Sequence, residues 1–226
     1  MKKIIIANWK CNPIKKNQAK KLFALIKKGV ASAKRMELVI CPPFVYLSDI
    51  APLSNIKLGA QDCFWKDQGA FTGEISAKML KDLKCKYVII GHSERRLHLE
   101  ETSEMINKKI KAVLSNGLIP ILCIDQISQI KEELGGIKGK EIKKIIIAYE
   151  PLFAIGTGNP CNIEQARKMN QLIKNILGQD SVVLYGGSVN SKNAKDYITQ
   201  ANFSGLLIGS ASLDASEFIG IVKSLS

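Results

Sequence analysis

"KIIIAYEPLFAIGTG", residues 144–158, couples two unlike kinds of chain. Ile145, Ile146, Ile147, Ala148 and Tyr149 form an unbroken apolar run, the pattern of a strand covered on both faces. The run ends in one carboxylate, Glu150, and Pro151 fixes the exit. Beyond it, Leu152, Phe153, Ala154 and Ile155 make an apolar tip that a solvated loop does not need, while Gly156 and Gly158 give the backbone freedom to hinge. A buried strand thus presents one acid to a greasy, movable segment.

Seven further β-branched runs flank it: "KIIIANW" (3–9), "ELVICPP" (37–43), "IKLGAQ" (56–61), "KYVIIGHS" (86–93), "LIPILCI" (118–124), "SVVLYGGS" (181–188) and "GLLIGS" (205–210). Between them lie segments of helical character at 14–31, 76–84, 102–116, 162–177, 190–201 and 212–224, with weaker candidates at 46–54 and 126–134. Strand and helix alternate at about 28 residues per unit, which implies parallel strands joined by crossover helices. Eight units without a linker or composition break predict an α/β fold: a closed, parallel eight-stranded (β/α)₈ barrel forming a single domain over residues 1–226. An open doubly wound sheet would carry a nucleotide fingerprint after its first strand, and "NWKCNP" is not one.

Hydrophobic residues make up 46% of the chain, enough for a compact core and against disorder. The apolar run at Ile4–Ala7 is far shorter than a signal-peptide core, and no stretch approaches a membrane span. The expectation is a cytoplasmic protein with no membrane partner. Six cysteines stand tens of residues apart with no C-x-x-C pair and only two histidines to join them, so free thiols and no metal are expected. The net charge of +13 would attract phosphates, on a polynucleotide or on a small metabolite. Its lysines are interleaved with apolar residues at helical spacing, as on solvated helix faces, and no nucleic-acid partner is expected.

In such a barrel the strand C-termini open on one face, where polar residues just past the strands meet. The first run ends in Asn8 and Lys10, the fourth in His92, the sixth in Glu150, the seventh in Gly186, Gly187 and Ser188, and the eighth in Gly209 and Ser210. A base, an imidazole, a cation and a cradle of backbone N–H groups therefore converge. Closure of the apolar tip over Glu150 removes water and is expected to raise its basicity. His92 precedes a helix start, with Ser93 a candidate N-cap and Glu94 in the first turn. A ring at that position stays neutral near pH 7 and can donate a hydrogen bond to a carbonyl. Cys123 reads as core packing beside the site. In the loop "DCFWKDQGAFTGE", Phe64, Trp65 and Phe71 are too apolar for open solvent and suggest contact with a partner.

The pieces "NWK", "GAQ", "GAFTGEIS", "VIIGHSERR", "AYEPLFAIGTG", "YGGSV" and "ASL" stand in order along almost the whole chain, which by them resembles the triosephosphate isomerase family. The resemblance implies the family's TIM barrel and interconversion of dihydroxyacetone phosphate and D-glyceraldehyde 3-phosphate in glycolysis and gluconeogenesis, without cofactor or metal. It casts Glu150 as the base that carries a proton between two substrate carbons through an enediolate, and His92 as the electrophile. Lys10 and Asn8 would hold substrate and stabilise negative charge, with Glu94 paired to the lysine. Gly156, Ser188, Gly209 and Ser210 would bind the phosphate. The loop Asp62–Glu74 would enter a second subunit, where Thr72 supports the partner's site, so a homodimer is implied.

Four features depart from the family pattern. Ser210 replaces the second glycine of the strand-eight turn, leaving the backbone N–H but adding a side chain that could bond the phosphate or crowd it. Phe153 stands where the lid usually carries tryptophan, and "LHLEE" follows "GHSERR". The fifth unit, between Asp125 and Lys144, is short, and "CIDQ" replaces "CIGE".

Two other classes compete. A different phosphate-binding barrel is one, but a Schiff-base aldolase needs a desolvated lysine inside a strand, which no run offers, and a metal-dependent epimerase needs more ligands. A non-catalytic basic binding protein on the same scaffold is the other, and strong salt-dependent binding to nucleic acid would reveal it.

Overall fold

The computed structural model describes residues 2–33, 35–50, 56–156 and 158–225. The described residues form eight strands: β1 (Lys3–Asn8), β2 (Met36–Cys41), β3 (Ile56–Ala60), β4 (Cys85–Ile90), β5 (Ile119–Ile124), β6 (Ile146–Tyr149), β7 (Val183–Tyr185) and β8 (Gly205–Ile208). Each pairs in parallel with its sequence neighbours, and β1 pairs with β8 to close the barrel. Closure requires a glycine: a Cβ on Gly205 would lie 1.9 Å from the Ile4 carbonyl oxygen.

The unbroken apolar runs have a direct cause, since each strand packs on both faces. Ile4, Ile6, Val39, Ile89, Ile121, Ala148 and Leu184 fill the inside of the barrel, while Ile5, Leu38, Ile40, Val88, Leu122 and Ile147 belong to the layer between strands and helices. Full burial of one such aliphatic side chain contributes about 1.5–3 kcal/mol.

The helices are α1 (Lys16–Gly29), α2 (Ala77–Asp82), α3 (Ser93–Leu99), α4 (Ser103–Ser115), α5 (Ser128–Glu133), α6 (Gly139–Ile142), α7 (Ile163–Leu177), α8 (Ala194–Thr199) and α9 (Ala215–Ser224). Local chemistry starts several of them. Ser76, Thr102, Asn162 and Asp214 accept first-turn backbone N–H groups at the heads of α2, α4, α7 and α9, each such cap contributing about 1 kcal/mol. The candidate at 46–54 is a 3₁₀ turn over Phe44–Asp49, and its remainder, from residue 51, lies outside the described residues. The shortened fifth unit survives as α5 and α6, two helices of 6 and 4 residues.

At the head of α3 the structure corrects the sequence reading. Ser93 is the first helical residue, and His92 itself caps the helix, its Nδ1 accepting from Glu94 N at 3.2 Å.

Candidate active site

A cavity of about 480 Å³ opens at the C-terminal ends of the strands. Asn8, Lys10, His92 and Glu150 line it together with Gly156, Ser188, Gly209 and Ser210, and Gly209 lies beside Lys10, where a Cβ would stand 3.3 Å from the lysine's Cε. Of the residues given a catalytic or phosphate-binding role from sequence, Glu94 is the one outside this lining. It reaches the site through Lys10, whose Nζ lies 2.5 Å from Glu94 Oε1.

Lys10 is aimed by its backbone. Its φ of 52° is left-handed, a conformation disfavoured for a side chain with a Cβ. Asn8 Oδ1 accepts the Lys10 N–H at 3.0 Å, and Gln61 Nε2 donates to Lys10 O at 2.9 Å and to Cys41 O at 2.8 Å. Asn8 and Gln61 thereby hold the turn that points the ammonium at the mouth.

His92 and Glu150 are 6% and 2% exposed and lie in direct contact, with Nε2 3.3 Å from Glu150 Oε1. Because Nδ1 accepts from the Glu94 N–H, the ring proton of the neutral imidazole sits on Nε2. The cap therefore fixes the tautomer, and the N–H faces the cavity. Ser93 N donates to the other carboxylate oxygen, Oε2, at 3.4 Å. Glu150 N donates to Ile124 O at 2.8 Å, and Gly186 N donates to Tyr149 O at 2.8 Å, so the acid's own peptide is held from both neighbouring strands. Gly186 also makes room for it: a Cβ there would meet Glu150 Cγ at 2.8 Å.

The apolar tip after Glu150 is a short 3₁₀ turn, Leu152–Ala154, with Leu152 and Phe153 more than half exposed and Ala154 buried. Gly156 and Gly158 adopt φ of 69° and 75°, which suits a hinge, while Thr157 lies outside the described residues. Ser188 Oγ donates to Ala154 O at 2.6 Å, so the loop after β7 touches the tip directly. The far end is anchored at Cys161, whose N–H donates to Tyr185 Oη at 2.9 Å and whose carbonyl accepts from Tyr197 Oη at 2.5 Å.

Cys123 is fully buried beside Glu150, and burial drives its thiol well above the ordinary range, with the Glu150 charge adding to the effect. It is a packing residue, as the sequence suggests. Asn12 and Asn190 also line the cavity and escaped the sequence reading. Both follow strand ends, so the same positional rule would have found them.

Lys3, Lys57 and Lys86 lie on β1, β3 and β4. None of the three lines the cavity. Lys86 is half-exposed and paired with Glu37 at 2.6 Å, which leaves the Schiff-base route without a desolvated amine at the mouth. Among the described residues, no group of three or more His, Cys, Asp or Glu is arranged to hold a metal ion.

Away from the cavity, Phe64, Trp65 and Phe71 form an aromatic cluster with ring centroids 4.1 and 4.8 Å apart, and Phe71 is 41% exposed. The head of this loop is fastened by a buried charge network. Lys109 bridges Asp62 and Glu101, and Arg95 binds the same two carboxylates at 2.9 and 2.6 Å.

A family model described as triosephosphate isomerase matches residues 3–225. A curated triosephosphate isomerase of Dictyoglomus thermophilum is 43% identical over 250 aligned positions, covering 99% of both chains. Those of Dehalococcoides mccartyi and Aquifex aeolicus are 43% and 41% identical, covering 99% of this chain and 96% and 100% of their own.

Proposed function

Because the chain belongs to the triosephosphate isomerase family, we propose that it interconverts dihydroxyacetone phosphate and D-glyceraldehyde 3-phosphate as a glycolytic and gluconeogenic isomerase. The observation that carries the reading is the contact between the Nε2 of His92 and the carboxylate of Glu150, at 3.3 Å, buried in a cavity that Gly156, Gly186, Gly187, Gly209 and Ser210 also line.

In this reading Glu150, ionised, takes a proton from the substrate carbon beside the carbonyl. The Nε2–H of His92 donates to the carbonyl oxygen as negative charge builds there, giving an enediolate. Lys10 and Asn8 stabilise that charge, and Glu94 holds the lysine. The hydroxyl proton on the neighbouring oxygen passes to the former carbonyl oxygen by way of His92 Nε2, Glu150 returns its own proton to the former carbonyl carbon, and the freed electron pair re-forms a carbonyl where the hydroxyl stood. Atoms and charge balance within the substrate, so no redox partner enters. Gly156, Ser188, Gly209 and Ser210 bind the phosphate, and the tip at Leu152–Ile155 closes to exclude water.

The chain acts as a single domain of residues 1–226 in the cytoplasm. It pairs with a second copy through the loop Asp62–Glu74, where the half-exposed Phe71 supports burial against a partner. A specific interface of this kind buries at least about 1,000 Å². The basic-binder alternative is not favoured, since it leaves the buried acid–imidazole contact without a purpose.

Proton transfer is tested by running the reaction in deuterium oxide and following dihydroxyacetone phosphate by NMR. Deuterium appearing at the carbon that exchanges with Glu150, dependent on enzyme, supports the shuttle. Isomerisation with full retention of the original hydrogen would point to a direct hydride shift and against it.

A further inference from the structure

Arg96, in the last turn of the seven-residue α3, reaches back beneath the mouth of the barrel. Its Nε donates to Gly91 O at 2.6 Å, and its Nη2 donates to Cys123 O at 2.8 Å. The same guanidinium grips both oxygens of Glu133, at 2.5 and 3.0 Å. Glu133 is the last residue of α5 and is fully buried. Two residues of α4 hold it: Ser103 Oγ donates to its carboxylate at 3.3 Å and Asn107 Nδ2 to its carbonyl at 2.7 Å. Gly91 takes φ of +69°, and a Cβ there would stand 2.7 Å from Arg96 Nη2, so the approach of the arginine excludes a side chain.

One of the peptides joined in this way carries a reacting group, and the other adjoins the residue that holds the second. Gly91 immediately precedes His92, and Ile124, next to Cys123, accepts the backbone N–H of Glu150 at 2.8 Å. One guanidinium thus links the end of β4, which bears the imidazole, to the end of β5, against which the acid's strand is hydrogen-bonded. A buried guanidinium needs a paired countercharge, and a two-pronged carboxylate fixes its plane as well as its charge. The shortened fifth unit keeps the one helical turn that supplies it.

We propose that Glu133 is a positioning residue for the isomerisation, acting through Arg96 to fix the separation of His92 and Glu150. This rests on the isomerase reading. Misplacement of reacting groups by about 1 Å can cost about a hundredfold in rate, whereas the phosphate-binding turns after β7 and β8 lie outside the Arg96 hydrogen bonds to Gly91, Cys123 and Glu133.

The test uses the purified full chain with Glu133→Gln, which keeps the shape but removes the charge, and Arg96→Lys, which keeps the charge but removes the fork. Glu133→Asp serves as the conservative control, and far-UV circular dichroism with a cooperative melt verifies folding. The expected result is a fall in kcat of about tenfold or more for the first two, with KM and the inhibition constant of inorganic phosphate within about twofold of wild type and partial rescue in Glu133→Asp. The chain has two histidines, so ¹⁵N-histidine labelling resolves the ring nitrogens of His92, which should shift in Glu133→Gln. Folded Glu133→Gln with near-wild-type kcat, parallel losses in kcat and phosphate affinity, or unmoved His92 signals would overturn the proposal. Should Glu133→Gln fail to fold, Arg96→Lys and Glu133→Asp decide it by the same readouts. A wild-type protein without isomerase turnover would instead sink the isomerase reading, while the His92 signals would still report on the Arg96–Glu133 link.

Discussion

The cavity lining has an acid–imidazole wall and a phosphate wall, which meet where Gly209 lies beside Lys10 and are built on different principles. On one, His92, Glu150 and Asn8 are nearly inaccessible, and each is fixed by hydrogen bonds from the backbone or to it. On the other, Gly156, Gly209 and Ser210 offer mostly backbone, are more open to solvent, and adjoin a tip that Ser188 touches. Buried, tethered side chains suit a reaction in which charge appears at one atom, because preorganised partners need not reorient. Exposed backbone donors suit a phosphate that must enter, be covered and leave. The comparison implies that damage to the first wall appears in kcat and damage to the second in KM.

The sharpest way to break that division is Glu150→Gln. It keeps the side-chain shape and removes the proposed base, so kcat should fall by about a thousandfold or more while inorganic phosphate still competes with wild-type affinity. His92→Gln comes next. Loss of the oriented Nε2–H should lower kcat by about a hundredfold, with KM changed far less. An increase in KM that accounts for the whole loss would place His92 on the binding side.

Ser210→Gly probes the second wall. The Ser210 hydroxyl is exposed, unlike that of Ser212, which donates to Gly209 O at 2.6 Å. Its removal should change KM by less than about tenfold, equivalent to about 1.4 kcal/mol, and leave kcat alone. A larger improvement in binding would mean that the serine crowds the phosphate.

The smallest effect lies outside the cavity. Burial pushes the Asp62 carboxyl up to about 6, with Lys109 and Arg95 pulling against it and Glu101 adding to it. An unfolded aspartate titrates near about 3.9. Between those values the folded chain holds more protons than the unfolded one, so this group's contribution to stability declines as the pH rises from about 4 to about 6. Asp62→Asn removes that dependence. The melting temperature of wild type relative to the variant should therefore rise by a few degrees on going from pH 7 to pH 5, about 2–4 °C for each kcal/mol in a chain of this size. A constant difference across that range would show that Asp62 is not the titrating group.

The barrel was legible because parallel strands buried on both faces leave unbroken apolar runs, as at Ile4–Ala7 and Ile145–Tyr149. Strand-end polar residues were legible for a topological reason, and the cavity gathers Asn8, Lys10, His92, Glu150 and the glycine turns. Capping was harder. Ser93 has the chemistry of an N-cap, yet the ring nitrogen of His92 takes that place, and only the local backbone path decides between adjacent residues. The role of Lys10 depends on a left-handed turn fixed by Gln61, a residue 51 positions away. Arg96 and Glu133 were invisible as a pair for the same reason, being 37 residues apart on different helices. The fifth unit looked merely truncated from sequence, whereas α5 retains the buried carboxylate that Arg96 requires.

The central claim is that a buried glutamate, facing a tautomer-fixed imidazole, moves a proton between two carbons of a triose phosphate. Turnover of D-glyceraldehyde 3-phosphate by the purified protein, with Glu150→Gln prepared identically to control for host enzyme, tests it most directly. Fast conversion by the wild type that all but vanishes in the folded variant is the predicted result. Equal rates in the two folded proteins would contradict it.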